Sequence, residues 1–169
     1  MTLEQLNAAD PAVAIQAFLR CCGSTRWADR MTETRPFANL DAMIARADAV
    51  WSSLDRADWL EAFAAHPPIG SEAVVRDPGG HSWAAREQSG AAAATDAVRD
   101  RIAVRNREYL ARFGYIFIVC ATGKSADTML RMLERRLAHD PDTELRVAAD
   151  EQRQITQLRL AKLVEMAAA

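Results

Sequence analysis

Cysteine is scarce in this chain: three residues in 169, Cys21, Cys22 and Cys120. An odd count with one vicinal pair builds no disulfide framework. All three lie among apolar neighbours, as buried thiols do, so the reducing cytoplasmic compartment is the expected location. Long apolar runs are missing too; none approaches the ~20 residues that a membrane span needs. The opening stretch MTLEQLNAAD holds acids and no basic n-region, so no secretory leader is expected, and the final EMAAA carries no peroxisomal Ser-Lys-Leu address. There is no positive excess: 21 basic against 23 acidic side chains leave a net charge of −2. That balance argues against a nucleic-acid partner and against electrostatic docking on anionic membrane. No glycine-rich phosphate loop, Gly-x-Gly-x-x-Gly or Gly-x-Ser-x-Gly occurs, and His66, His81 and Glu87 match no standard metal-ligand spacing, so no metal site is expected.

What is present is helical patterning. Half the residues are apolar and 26% are charged, which suits a single domain over 1–169 with one substantial core. Thr2 and Gln5 predict a capping box. Asp10-Pro11 opens a second helix with Val13, Ala14, Ala17, Phe18 and Cys21 on one face, stopped at Gly23. Ser24 caps a segment carrying Trp27 and Met31, and Arg35-Pro36 breaks it. Asn39 caps the next helix, with Leu40, Met43, Ile44, Ala47 and Trp51 inward. A short helix with Trp59, Leu60 and Phe63 ends at His66-Pro67-Pro68, and residues 69–80 read as a loop. A helix near Ser82 carries Trp83, Ala84 and Glu87.

The longest interior helix spans about Thr95 to Phe113, with Val98, Ile102, Asn106, Tyr109 and Phe113 as its stripe and Gly114 as its stop. Tyr115-Ile-Phe-Ile-Val-Cys120 resembles a strand, yet no second run pairs with it. An unpaired strand leaves its backbone groups unsatisfied, so the expected fold is an all-α bundle with one buried extended segment near 115–121. A helix from Ser125 to Ala138 turns Leu130, Leu133 and Leu137 inward. Asp140-Pro141 starts the last helix, with Leu145, Ala148, Ile155, Leu158 and Leu163 as its apolar positions.

Function is sought where polar groups stand against this pattern. His66 closes a helix on a frame stiffened by two prolines, and an imidazole titrates near neutral pH; the commoner reading is a helix C-terminal histidine favoured by the dipole. Glu87 lies one turn from Ala84 and Ala91 and either needs a partner or sits on a solvated face. Asn106 interrupts an apolar stripe, where capping a carbonyl or satisfying a loop is the ordinary role. Arg159 edges the apolar face of the last helix, placed either to clamp a planar or carboxylate group or to form a surface ion pair. Arg99, Arg101, Arg105 and Arg107 alternate with acids and read as a solvated face.

Together these residues resemble one family. The blocks His66-Pro67-Pro68-Ile69-Gly70, Glu87-Gln88, Asn106-x-x-Tyr109-x-x-x-Phe113-Gly114-x-x-Phe117-Ile118 and Ile155-x-x-Leu158-Arg159-Leu160, preceded by Cys22-Gly23-Ser24-x-x-Trp27-x-x-x-Met31 and Arg35-Pro36-Phe37, are similar to those of the 2-oxo-4-hydroxy-4-carboxy-5-ureidoimidazoline (OHCU) decarboxylases of urate breakdown. The resemblance covers nearly the whole chain. It implies an all-α, cofactor-independent homodimer that removes CO2 from OHCU and delivers (S)-allantoin. It places the catalytic histidine on His66, its partner carboxylate on Glu87 and a substrate-binding arginine on Arg159. Pro67, Gln88 and backbone groups of Ile118, Val119, Cys120, Ala121 and Thr122 would line the pocket. One position departs: many members carry serine where this chain has Ala84, so a hydrogen bond from that serine is lost here or replaced. Two other readings predict different outcomes. A helical binding module would show no turnover, and a cofactor-independent hydrolase of a ureido compound would release ammonia or ring-opened products instead of CO2.

Overall fold

The computed structural model describes residues 1–67, 69 and 95–165. Among the described residues there are eight helices and no strand, as the all-α expectation requires. They are α1 (Leu3–Ala8), α2 (Pro11–Cys21), α3 (Thr25–Glu33), α4 (Leu40–Ser52), α5 (Arg56–Ala64), α6 (Asp96–Phe113), α7 (Ala126–Arg136) and α8 (Pro141–Glu165). No described helix is long and apolar enough to cross a membrane. The chain forms two compact units, Met1–Ala65 with Gln152–Ala169, and His66–Glu151.

In the first unit the helix starts follow the sequence signals. Thr2 and Gln5 close a reciprocal capping box, Ser24 accepts from the Trp27 N–H, and Asn39 accepts from the Ala42 N–H. α3 packs against α2, α4 and α5. Its Trp27 is fully buried, meets Phe18 edge-to-face at 5.9 Å, and donates its indole N–H to the Ala47 carbonyl at 3.3 Å. A buried indole needs such an acceptor. Arg35 bonds the carbonyls of Leu6 and Ala9 at 2.7 and 2.8 Å, satisfying orphan acceptors at the end of α1. On α4, Asp48 accepts from Arg153 at 3.2 Å and from Gln157, which ties the C-terminal part of α8 into this unit.

Two apolar positions expected to face inward do not. Val13 is 51% exposed, because it lies about 100° of helical rotation before Ala14, at the margin of the Ala14–Ala17–Phe18–Cys21 stripe. Leu158 is also exposed, because the buried stripe of α8 runs through Gln152, Thr156, Leu160 and Leu163. Its two polar members satisfy each other: Gln152 Nε2 donates to Thr156 Oγ1 at 3.2 Å, and that hydroxyl donates to the Gln152 carbonyl at 2.9 Å. The other expected apolar positions of α8, Leu145, Ala148, Ile155 and Leu163, are buried, so Leu158 lies just beyond the edge of the face that hydrophobicity indicated.

The second unit is built on α6 and α7, which pack together. Thr95 caps α6, and Gly114 ends it at φ +80°, a left-handed conformation that glycine adopts without strain. The residues after it, 115–121, belong to no helix or strand, and all but Ile116 are buried. Tyr109 on α6 anchors them, with its ring 5.4 Å from Phe117 and 5.9 Å from Tyr115. Arg101 and Arg105 of the expected solvated face both reach Glu134 of α7.

Candidate active site

His66 and Pro67 follow α5 directly, and both are half-buried. α5 begins with a capping box that the sequence reading missed. Asp55 accepts the N–H groups of Ala57 and Asp58 at 2.9 and 3.2 Å, and Asp58 accepts the Asp55 N–H at 3.3 Å. The Asp58 N–H, foremost, holds the Asp55 carboxyl below the usual carboxylate range. At its other end α5 lies close against Gly23: a Cβ built there would stand 2.3 Å from the Ala65 Cβ. Gly23 is thus required by close approach; its φ is not left-handed, and α2 ends on an extended Cys22.

Beyond Pro67, Ile69 is buried and its carbonyl accepts from Asn106 Nδ2 at 3.1 Å. The polar interruption of the α6 stripe therefore ties down the loop that carries the histidine. Glu87, Gln88 and Ala84 lie outside the described residues, as do Pro68 and Gly70.

The segment from Ile118 to Ala121 is buried and Thr122 is exposed. Its backbone is held by side chains. Arg136 donates to the Ile118 carbonyl at 2.7 Å, the Cys120 N–H donates to Glu151 Oε2 at 2.7 Å, and Lys124 Nζ donates to the Cys120 carbonyl at 2.6 Å. Behind it sits a buried polar cluster. Arg136 is paired with Glu144 through Nε at 2.8 Å and a terminal nitrogen at 2.6 Å. Tyr109 donates its hydroxyl to the same carboxylate, and His139 Nδ1 lies 2.7 Å from its other oxygen. The Arg136 guanidinium also stacks over Phe117, 4.5 Å from the ring centroid. Burial drives the Tyr109 phenol well above its usual pKa against the opposing pull of Arg136, so it stays a donor.

None of Arg136, Glu144, Glu151 or Lys124 was singled out from sequence. The available signal was a charge of each sign in the buried register of two helices: Arg136 follows Leu133 by one turn, and Glu144 precedes Leu145 and Ala148.

Arg159 belongs to the first unit and is half-buried on α8. Its charge acts on Cys22, whose thiol burial nevertheless pushes up to about 12. The Ser24 backbone and the Thr156 side chain also pull that thiol downward without offsetting burial. Cys22 is therefore a neutral, packed thiol near an arginine, not a nucleophile.

The OHCU decarboxylase family model matches residues 7–161. The chain belongs to the OHCU decarboxylase family. That family is one of carboxy-lyases. Among its relatives, the uric acid degradation bifunctional protein TTL of Arabidopsis thaliana is 40% identical over 148 residues, covering 85% of this chain and 45% of that protein. The chain thus spans under half the length of this bifunctional relative. A 2-oxo-4-hydroxy-4-carboxy-5-ureidoimidazoline decarboxylase of Haloferax volcanii is 28% identical over 163 residues, 96% of this chain and 95% of that one. The crystal structure of an OHCU decarboxylase in the presence of (S)-allantoin superposes with a TM-score of 0.77 at 35% identity, over 93% of this chain and 99% of that chain.

Proposed function

We propose that this member of the family converts OHCU to (S)-allantoin without a cofactor, as a cytoplasmic homodimer whose catalytic domain occupies residues 1–169. The observation that carries the reading is the near full-length structural match to an OHCU decarboxylase solved with (S)-allantoin. The reaction itself makes modest demands. When CO2 leaves, the bonding pair becomes a C=C bond to the ureido-bearing carbon, the C=N pair moves onto the ring nitrogen, that nitrogen takes up one proton from solvent, and an enol-enamine remains. The hydroxyl then gives up its proton, the ureido-bearing carbon gains one, and the ring carbonyl of allantoin forms. The ring C=N serves as the electron sink. What remains is to orient the carboxylate out of the ring plane and to deliver one proton to one face.

His66 is the proposed proton-transfer group, acting as general acid or base near the hydroxyl and the reacting carbons. A histidine on a proline-stiffened turn approaches a flat intermediate from one side, which sets the stereochemistry. Glu87 would fix the tautomer of His66 or accept the substrate hydroxyl. Arg159 would grip a carbonyl, ureido or carboxylate group bidentately. Pro67, Gln88 and backbone groups of Ile118, Val119, Cys120, Ala121 and Thr122 would contact the ring or ureido group. The Cys120 N–H is already given to Glu151, which supports a role for its neighbours' amides in this contact.

The test follows freshly generated OHCU by circular dichroism with and without the protein. Rapid growth of an (S)-allantoin signal is the expected result. Slow decay to racemic, CD-silent allantoin alone would reject the reading.

A further inference from the structure

We infer that Glu151, together with Arg136 and Lys124, is a positioning residue that turns the main-chain amides of Val119 and Ala121 toward substrate. The inference rests on the proposed role of residues 118–122 in binding.

Three successive peptide units are clamped from the side. In a trans peptide the C=O of one residue and the N–H of the next point in opposite directions. Arg136 holds the Ile118 carbonyl, so the Val119 N–H points away from Arg136. Glu151 takes the Cys120 N–H, so the Val119 carbonyl points away from Glu151. Lys124 holds the Cys120 carbonyl, so the Ala121 N–H points away from Lys124. Neither the Val119 nor the Ala121 amide donates to any described residue, although both residues are 6% exposed. Buried backbone donors without a partner are uncommon and call for one. A ligand rich in carbonyl oxygens, such as a ureido-substituted imidazoline, supplies it.

The three clamps differ in strength of hold. Arg136 is itself fixed by Glu144. Lys124 is only four residues from its acceptor and moves with it. Glu151 reaches the segment from α8, and a carboxylate accepting an amide makes a short, strong bond. Without it the Val119–Cys120 peptide loses the bond that sets its direction, and the amides on either side lose their aim.

The test compares steady-state OHCU decarboxylation by the full chain, Glu151→Ala and Glu151→Gln, with thermal unfolding of each. We expect Glu151→Ala to raise KM about tenfold with kcat within about twofold of the parent, because binding common to ground and transition states is lost. Glu151→Gln, which keeps an acceptor oxygen, stays within about twofold of the parent KM. A purely structural role would lower the unfolding temperature of Glu151→Ala and leave KM unchanged. A parent that turns over OHCU alongside a Glu151→Ala variant of parental KM overturns the inference and spares the proposed function. A parent that neither turns over OHCU nor binds (S)-allantoin overturns both. Should Glu151→Ala not fold, amide NMR of the unaltered protein titrated with (S)-allantoin decides. Val119 and Ala121 resonances moving while that of Cys120 stays supports the assignment. Cys120 moving as far as its neighbours overturns it.

Discussion

The side-chain amide of Asn106 donates to the main-chain carbonyl of Ile69 at 3.1 Å. One helical turn further along α6, Tyr109 donates to Glu144, which holds Arg136, which in turn holds the Ile118 carbonyl. Within the second unit, a line of named hydrogen bonds thus runs from the loop behind the histidine to the segment proposed to contact substrate. The order of the blocks along the chain, His-Pro-Pro-Ile, then Asn-x-x-Tyr, then Phe-Ile, is the order in which this line is built.

Removing that tether should cost activity more than stability. Asn106→Leu leaves the Ile69 carbonyl without its donor and frees the loop that follows His66. We expect kcat for OHCU to fall roughly tenfold, since small misplacements of a reacting group are costly, with thermal unfolding shifted by only a few degrees. Steady-state kinetics beside a melting curve checks both, and an unaltered kcat would show that the tether does not serve the site.

The proton-transfer role of His66 carries a larger expectation. General acid–base groups contribute about 10²–10⁴ in rate, so His66→Ala should fall by at least that lower figure. Any residual allantoin should lose its optical activity. A variant with near-normal rate and full (S) enantiomeric excess would remove His66 from the chemistry.

Arg136 and Glu144 are 5% and 0% exposed at their side chains, so splitting them strands a buried charge. Arg136→Leu should destabilise the protein by about 3–5 kcal/mol. The double variant Arg136→Leu/Glu144→Leu should lose less than the sum of the two single changes, because neither charge is left alone. Denaturant unfolding of the four proteins measures the coupling; strict additivity would mean that the pair is not energetically linked.

Gly23 offers a steric test. Gly23→Ala puts a methyl 2.3 Å from the Ala65 Cβ and should cost about 1–3 kcal/mol by overpacking. Ala65→Gly in the same chain should restore much of that loss by vacating the contested space. Failure of the second change to rescue the first would point to a different obstacle at Gly23.

Cys22 gives a pH expectation with a definite sign. Its folded thiol is pushed up to about 12 from an ordinary 9.0. Between those values the unfolded chain releases the proton while the folded chain keeps it. Stability therefore falls as pH rises through that window and is unaffected by this group below it. Guanidinium unfolding at a series of pH values should show a shallower alkaline decline in Cys22→Ala than in the parent. In the folded parent at pH 8, Cys22 should also resist thiol reagents.

The sequence by itself determined most helix starts and stops, although the Asp55 box of α5 was missed and Asp10 makes no side-chain cap bond. Thr2, Ser24 and Asn39 accept the expected backbone N–H, Thr95 and Ser125 cap the helices expected to start near them, and Gly114 takes the left-handed turn. Such signals act within four residues, so local chemistry suffices to read them. The non-strand character of residues 115–121 was legible for a similar reason, since an unpaired run has nowhere to place its backbone bonds. The membership in a decarboxylase family was legible because the blocks that carry it are short and ordered.

Only the tertiary structure decided which charges are internal. Arg136, Glu144 and Glu151 look like surface residues of amphipathic helices until the fold brings an opposite charge, a phenol or an unsatisfied amide to meet them. Likewise Gln152 and Thr156 share the buried face of α8 with Ile155 and Leu163, because each satisfies the other, while Leu158 is exposed. A polar group's burial depends on partners far away in sequence, and periodicity along one helix carries no information about them.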